Sequence, residues 1–168
     1  GVDAIVFDID TFGGRVDAAT VIRDAILDAD ALTIAFINKR AISAGALIAM
    51  SCDKIVMAKG GEIGAVTPVS GAGEKAGDKY VSVMRAEMRA TAERTGRDPE
   101  IAEAMVDEGI EIPGFSEVVG RPATLTTSEA LHYRVADETA ETIIDVLRIY
   151  DLNNAKIVEV EINWAEHV

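Results

Sequence analysis

The sequence predicts an α/β domain whose sheet is built substantially from parallel strands. Short runs of β-branched and apolar residues alternate with segments whose apolar residues recur at helical spacing. Hydrophobic residues make up 49% of the chain and aromatic residues only 5%, so the core must consist mainly of small aliphatic side chains. A chain of 168 residues is expected to fold as a single domain, residues 1–168.

The first half of the chain gives the clearest alternation. Residues 4–10 are β-branched and apolar, and end before Gly13-Gly14, which predicts an inner strand. Further strands are predicted over 32–37, 54–57 and 63–66, with a charged turn at Lys39-Arg40. A short and almost wholly apolar helix over 43–51 must be buried. A first amphipathic helix is predicted over 17–28, with this apolar face: Ala18, Val21, Ile22, Ala25 and Ile26.

The second half is predicted to be mainly helical. A loop of glycine and small residues over 70–77 precedes the longest helix, 78–95, which Gly96 ends. Other helices are predicted over 99–106, from Thr127, and over 139–150. Residues 107–122 are expected to be irregular or hairpin-like, and the alternation in 156–162 predicts a half-exposed strand.

Composition excludes several classes of function. The net charge of −13 disfavours nucleic acid and anionic lipid headgroups as partners. Cys52 is the sole cysteine, so no internal disulfide can form, and its apolar surroundings predict a packed thiol. Neither metal-ligand clusters nor phosphate-binding glycine signatures are found, so no metal or cofactor is expected. No apolar run reaches the ~18–20 residues needed to span a bilayer.

Ser43 is the candidate nucleophile. It follows a predicted buried strand and opens the helix 43–51, where unpaired backbone N–H groups and the helix dipole would stabilise an oxyanion. The small residues Ala44 and Gly45 leave room for a substrate carbonyl. The alternative is that Ser43 is simply the N-cap of its helix.

Gly13-Gly14 is the candidate oxyanion-binding segment. A diglycine at a strand end lets backbone amides face a cleft and lets an extended peptide approach closely, so the Gly14 and Ala44 N–H groups would form an oxyanion hole. The alternative is an ordinary strand-to-helix turn.

Lys79 is the candidate base. It lies in the first turn of the helix 78–95, where the dipole disfavours a cation, and only a neutral amine can accept a proton. The alternative is a solvated lysine, and Lys75 is a weaker candidate.

Other polar residues fit catalysis less well. Neither His132 nor His167 follows a strand end or a glycine-rich loop. Asp8 and Asp10 share one face of a strand, as in phosphohydrolases with an aspartyl nucleophile, but Phe12 stands where that pattern has Thr or Val.

Several blocks in fixed order resemble one family. They are residues 10–18 (DTFGGRVDA), 41–46 (AISAGA), 55–65 (IVMAKGGEIGA), the helix from Lys79 to Gly96-Arg97, and 126–131 (TTSEAL). Together they resemble the NfeD-type membrane-bound serine proteases, relatives of ClpP and of the signal-peptide peptidase SppA. The family often has Pro in place of Phe12, which lies at the wall of the expected substrate groove.

The resemblance implies a ClpP/crotonase-like fold with repeated β-β-α units. It also implies a Ser–Lys dyad in which Ser43 is the nucleophile and Lys79 the general base, with oxyanion donors at Gly14 and Ala44. The implied substrates are hydrophobic segments of membrane-associated, often stomatin-like, proteins, cleaved outside the cytoplasm by a homo-oligomer. Compared with the family, the domain is expected to lack the strand that usually comes before the strand at residues 4–10. Membrane segments are expected outside residues 1–168.

Two other functions remain open at this point. A crotonase-like acyl-CoA enzyme would share the fold and hold an enolate with paired backbone amides, but would be expected to show glutamate acid/base residues. A non-catalytic domain of the same family would bind stomatin-like partners without cleaving them.

Overall fold

The structure, a computed structural model, describes residues 1–115 and 120–160. Strands and helices alternate in the first half of the chain, and helices predominate in the second. In chain order the elements are β1 (Ala4–Thr11), α1 (Val16–Leu27), β2 (Leu32–Ile42), α2 (Ala44–Ser51), β3 (Lys54–Met57), β4 (Glu62–Gly64), α3 (Asp78–Thr95), α4 (Pro99–Ala104), β5 (Thr124–Thr126), α5 (Thr127–His132), β6 (Glu138–Thr139) and α6 (Ile143–Ile149).

The sheet is organised around β2. Parallel pairing with β1 runs along one edge of β2, from Ala4 opposite Leu32 to Thr11 opposite Ala41. The prediction of an inner strand over 4–10 is wrong, because β1 pairs with no other described strand and only its Ile9 is buried. The other edge is shared, since β3 pairs with the first half of β2 and β4 with its last three residues, both in parallel. The carboxyl ends of β1, β2 and β4 therefore meet at one edge of the sheet.

The α/β class is confirmed, but the sheet is mixed rather than substantially parallel. The repeated β-β-α units expected are not found, since only β3-β4-α3 has that order among the described elements. β6 extends the parallel set by pairing with β3, whereas β5 runs antiparallel to β4. β5 follows α3 and α4 in the chain, so its antiparallel pairing with β4 is not a local hairpin.

The two faces of the sheet carry different cores. Ala35 and Ile37 of β2 point into the main core, which α1 to α4 close. Ile34 and Phe36 point the other way, into a smaller cluster capped by Val146 of α6. This alternation follows from the two-residue period of a strand.

The predicted buried helix is confirmed as α2. Most of its residues are buried, including Leu47 and Met50 at 0% exposure. The long helix α3 packs beside it with a buried stripe that includes Met84 and Met88. Gly96 ends α3 in the left-handed conformation, with φ of 76°.

Arg97 fastens the far end of these helices. Its buried guanidinium donates to the carbonyls of Val135, Met50 and Cys52, and lies 3.4 Å from a carboxylate oxygen of Asp137. Burial lowers the pKa of Arg97, which the nearby Asp137 carboxylate opposes. The packed thiol predicted for Cys52 is also confirmed, since that residue is fully buried.

Several predicted boundaries are wrong. Lys39-Arg40 lies inside β2 rather than in a turn, because pairing continues as far as Ala41 with β1 and Ile42 with β4. Arg40 also donates to Asp10 on the neighbouring strand β1. The terminal helix begins at Ile143, and residues 138–139 pair as β6. The helix predicted over 99–106 ends at Ala104.

The strand predicted over 156–162 is not formed in its described part. Residues 156–160 are exposed and pair with no described strand, and 161–162 lie outside the described residues. The loop 70–77 contains a compact turn, bridged between Val69 and Lys75. Within the predicted irregular stretch 107–122, residues 116–119 lie outside the described residues, and the rest forms turns and coil.

Candidate active site

Ser43 occupies a sharp turn between β2 and α2. Its φ of 56° and ψ of −120° are unusual for a residue with a side chain, and a backbone of this kind costs about 1–3 kcal/mol. The Ser43 N–H donates to the Gly64 carbonyl at 2.9 Å, which helps to hold the turn. A strained strand-to-helix turn is also the geometry that presents the nucleophilic serine of α/β-hydrolases.

The Ser43 hydroxyl makes no hydrogen bond with the described residues. Ser43 is the N-cap residue of α2 by position, but its side chain makes no capping hydrogen bond. In the part of the chain that the structure describes, this hydroxyl has no hydrogen-bond partner of any kind. The N-cap alternative therefore describes where Ser43 lies but not what its side chain does.

Gly13 lies directly against Ser43. A Cβ added to Gly13 would be 2.7 Å from the Ser43 Cβ and 3.2 Å from its Oγ, and the φ of Gly13 is 121°. Only glycine fits this position. The Gly13 N–H is occupied, since it donates to Thr11 Oγ1 at 3.1 Å. Sequence order alone does not reveal this contact, which arises because β1 and β2 end side by side.

Gly14 and Ala44 supply two backbone amides near the serine. Among the described residues, neither N–H group has a hydrogen-bond partner. The Ala44 amide is the first of α2, where no carbonyl of the helix can reach it. Gly14 follows the residue that touches Ser43, and nothing lies within 4 Å of its missing Cβ. Both N–H groups are therefore without a recorded partner within residues 1–115 and 120–160.

Two further residues shape the turn and were not singled out by sequence reasoning. Thr11 approaches α2 so closely that a Cβ on Gly45 would lie 2.5 Å from its Cγ2. Gly64 has a φ of 140° and lies against the Ala123 carbonyl, and its own carbonyl anchors Ser43. The only sequence signal for Gly64 is a glycine at the end of a short strand.

Lys79 lies in the first turn of α3 and is exposed. Neither its amine nor the Ser43 hydroxyl takes part in a hydrogen bond within the described chain, so the two are not bonded to each other. Thr95 Oγ1 donates to the Met50 carbonyl at 3.1 Å, which brings the C-terminal ends of α3 and α2 together. The two helices are in contact, as this hydrogen bond and their neighbouring core residues show.

Lys75 has a different role. Its amine forms a 2.7 Å ion pair with Glu108, and this hydrogen bond raises the pKa of Lys75. An amine held in its charged form is a poor proton acceptor. This contact fastens the loop 70–77 to the segment after α4.

The rim of the site carries an exposed aromatic side chain. Phe12 is 73% exposed, and the Arg40 guanidinium lies 4.5 Å from the centre of its ring. Arg40 also pairs with Asp10 at 2.9 Å, and this hydrogen bond holds the pKa of the Asp10 carboxyl below its usual range. Asp10 is thereby engaged in an ion pair, and Asp8 accepts a hydrogen bond from Asn38.

Comparison with known proteins settles the family. The model of the NfeD1b N-terminal domain matches residues 1–160. The chain belongs to the NfeD1b N-terminal domain family. The likeness to NfeD-type proteins expected from the sequence blocks is therefore confirmed.

Two curated relatives cover most of the chain. Membrane protein NfeD1b of Bacillus subtilis is 35% identical over 164 residues, which are 98% of this chain and 38% of that protein. Membrane-bound protease PH1510 of Pyrococcus horikoshii is 30% identical over 154 residues, 87% of this chain and 32% of that protein. The chain thus spans 38% of the length of the first relative and 32% of the second.

Solved structures agree with this relationship. One is the 1510-N membrane-bound stomatin-specific protease, solved as a lysine-to-alanine variant in complex with a substrate peptide. It is 30% identical to this chain, and its structure superposes with a TM-score of 0.74. The match covers 87% of this chain and 64% of that one. ClpP1 from Listeria monocytogenes has a TM-score of 0.62 at 20% identity, over 86% of this chain and 77% of its own, which supports a ClpP-like fold alone.

The remaining candidates are the two histidines and a possible metal site. His132 is exposed on α5 with its ring edge-on to Tyr133, and His167 lies outside the described residues. No group of three or more potential metal ligands occurs within 1–115 and 120–160. No helix in the same ranges is long and apolar enough to cross a membrane.

Proposed function

We propose that this domain is a serine endopeptidase in which Ser43 is the nucleophile and Lys79 the general base. The observation that carries the proposal is the Ser43 hydroxyl, which is held at a strained turn, free of hydrogen bonds in the described chain, and in contact with Gly13. The relatives named as proteases support the same chemistry. The structures of one relative include a lysine-to-alanine variant and a serine-to-alanine variant. These are the two substitutions that would inactivate a Ser–Lys dyad.

The reaction follows from these groups. The neutral Lys79 amine takes the proton of Ser43 Oγ as that oxygen attacks the peptide carbonyl carbon. The Gly14 and Ala44 N–H groups hold the tetrahedral oxyanion. Lys79 returns the proton to the amide nitrogen as the C–N bond breaks. Water, deprotonated by Lys79, then cleaves the acyl ester, and Ser43 regains its proton.

Catalysis requires Lys79 to reach Ser43. Catalytic hydrogen bonds are often absent or long before substrate binds. The connection ahead of α3 is largely exposed and is fastened to the segment after α4 through the Lys75–Glu108 pair. We expect peptide binding or assembly to bring the two side chains together.

The proposed substrates are hydrophobic segments of membrane-associated, stomatin-like proteins. Support comes from the relative named as a stomatin-specific protease and from Gly14, which follows the residue in contact with Ser43 and has open space around its missing Cβ. Phe12 offers an apolar contact at the rim of the same site. We place the domain at a membrane and on its extracytoplasmic side.

Peptide cleavage by matched variants tests the proposal. Ser43→Ala and Lys79→Ala should each reduce the rate of cleavage of a hydrophobic peptide by about 10³-fold or more, because the members of such a unit act together. Lys75→Ala, which removes a nearby lysine outside the dyad, should retain most of the activity. Full activity of Lys79→Ala would overturn the dyad, and peptide binding without turnover by the native chain would favour the non-catalytic alternative.

A further inference from the structure

Strand β2 is irregular shortly before α2 begins. Ile9 of β1 lies opposite Ile37, but Thr11, two residues later, lies opposite Ala41, which is four residues later on β2. β2 therefore carries two extra residues between these paired positions. Irregularities of this kind bend a strand, re-aim its side chains and occur often beside functional sites. Arg40, at the end of the irregular stretch, reaches across to the neighbouring strand.

The Arg40 guanidinium contacts two residues of the segment 10–12. Its Nε and Nη2 donate to the two carboxylate oxygens of Asp10, at 2.9 and 3.4 Å. Its central carbon lies 4.5 Å from the centre of the Phe12 ring. The pair of hydrogen bonds fixes the plane of the guanidinium, and this plane supports the ring from one side. Phe12 is therefore held in place although it is 73% exposed.

The supported ring offers an apolar surface. Single exposed apolar side chains are common and need no explanation. Phe12 differs because an arginine backs one side of its ring while most of the residue stays open to solvent. The charge of that arginine is already paired with Asp10, so it does not select an anionic ligand. The surface therefore suits an uncharged, apolar side chain.

Phe12 is also close to the candidate nucleophile. It precedes Gly13, and a Cβ added to Gly13 would lie 3.2 Å from Ser43 Oγ. Neighbouring Cα atoms are about 3.8 Å apart, and an extended peptide advances about 3.3–3.6 Å per residue. A peptide bond at Ser43 Oγ is therefore within about two residue lengths of Phe12.

We propose that Phe12 is a specificity-determining residue, which selects substrates with an aromatic or branched aliphatic side chain within two residues of the cleaved bond. Arg40 is the positioning residue that holds the ring toward this side chain. The preference rests on the proposed peptidase function of the same site. It adds the identity of the side chain that the site favours.

Cleavage of a matched peptide series tests the preference. The peptides share one hydrophobic sequence and differ in having Phe, Leu, Ala or Asp at each of the two positions on either side of the cleaved bond. At one of these positions, the native chain should show kcat/KM at least about tenfold higher for Phe or Leu than for Ala or Asp. Phe12→Ala should reduce this ratio at least about fivefold, mainly through KM, and Phe12→Leu should restore part of it.

Val21→Ala is the matched control, because it removes an exposed apolar side chain from α1. It should keep the native ratio between the peptides. An unchanged ratio in Phe12→Ala overturns the proposal, and so does a loss of the same size for all four peptides.

Arg40→Met separates a positioning role from a general effect on stability. If Arg40 acts through the ring, this change should lower the ratio between Phe and Ala peptides. The double variant with Phe12→Ala should then be no less selective than Phe12→Ala alone. Arg40→Lys keeps the charge but loses the paired hydrogen bonds to Asp10, so it should resemble Arg40→Met. Additive losses, or a native ratio in both Arg40 variants, would contradict the positioning role.

Peptide binding to Ser43→Ala distinguishes failure of the preference from failure of the peptidase. This variant lacks the candidate nucleophile, so fluorescence anisotropy of labelled peptides of the series reports affinity without turnover. Tighter binding of a Phe peptide than of its Ala counterpart, lost when Phe12→Ala is added, supports the preference even if the native chain cleaves nothing. Equal affinity for the two peptides overturns the preference, and cleavage by the native chain would still support the peptidase.

Discussion

Gly13 shows how tightly a single residue is constrained beside the candidate nucleophile. Its φ of 121° and the 2.7 Å separation between an added Cβ and the Ser43 Cβ leave no room for a side chain. Gly13→Ala should therefore lower the free energy of unfolding by about 1–3 kcal/mol and displace the serine, with a large loss of activity. Urea unfolding and peptide cleavage measure the two effects.

Gly14→Ala is the matched control for that change. Gly14 has open space around its missing Cβ, and its N–H survives the substitution. Stability should change by less than about 0.5 kcal/mol, as at most surface sites. If Gly13→Ala and Gly14→Ala behave alike, the close contact between Gly13 and Ser43 is not important.

Arg97 illustrates a residue whose role is structural. Its guanidinium satisfies three backbone carbonyls in a nearly dry environment. Arg97→Met leaves these acceptors and the Asp137 carboxylate without their donor, so we expect a loss of about 3–5 kcal/mol in urea unfolding. Arg94→Met, on the exposed side of α3, should cost less than about 1 kcal/mol. A similar loss for both would show that burial of Arg97 is not the cause.

At the scale of elements, burial of the Cys52 thiol at the end of α2 makes the stability of the fold depend on pH. Burial raises the pKa of the Cys52 thiol at its C-terminal end from 9.0 to about 12. Because the unfolded thiol ionises first, the native state binds more protons between about pH 9 and 12, and stability falls as pH rises through that window. Cys52→Ala should remove this component, so its stability should fall less steeply between pH 9 and 11 in urea titrations. Identical slopes would contradict the buried thiol.

Helices and strands were predictable from the sequence where their apolar residues form a long, regular pattern. β1, α2 and α3 have apolar patterns long enough to identify them, and Gly96 ends α3 as expected. β6 was missed because a two-residue strand has no periodicity, and its pairing depends on the neighbouring β3. The strand predicted over 156–162 has the right alternation, but alternation alone does not supply a partner strand.

Helix α1 is the most instructive difference. Its existence was predicted, but the face identified as buried is largely the exposed one. Apolar spacing shows that a helix is amphipathic, but it does not by itself determine which side of the helix the rest of the fold covers. The Arg23–Thr91 hydrogen bond, which sets the rotation of α1, joins residues 68 positions apart and leaves no local signal.

At the scale of the whole molecule, the candidate site is assembled from separate segments. The ends of β1, β2 and β4 meet at one edge of the sheet and supply Gly13, Ser43 and Gly64. The sequence identified the glycine pair and the serine from their local patterns. It could not show that Gly13 touches Ser43 or that the Gly64 carbonyl holds the serine backbone, because both contacts depend on strand order.

The account depends on Ser43 being a nucleophile activated by Lys79. Its most direct test is labelling with a fluorophosphonate probe, followed by mass spectrometry to locate the modified residue. We expect a single adduct on Ser43, lost in Ser43→Ala, formed at least about 10²-fold more slowly in Lys79→Ala, and unchanged in Lys75→Ala. An unlabelled native protein, or labelling of Ser43 at the same rate without Lys79, would contradict the central claim.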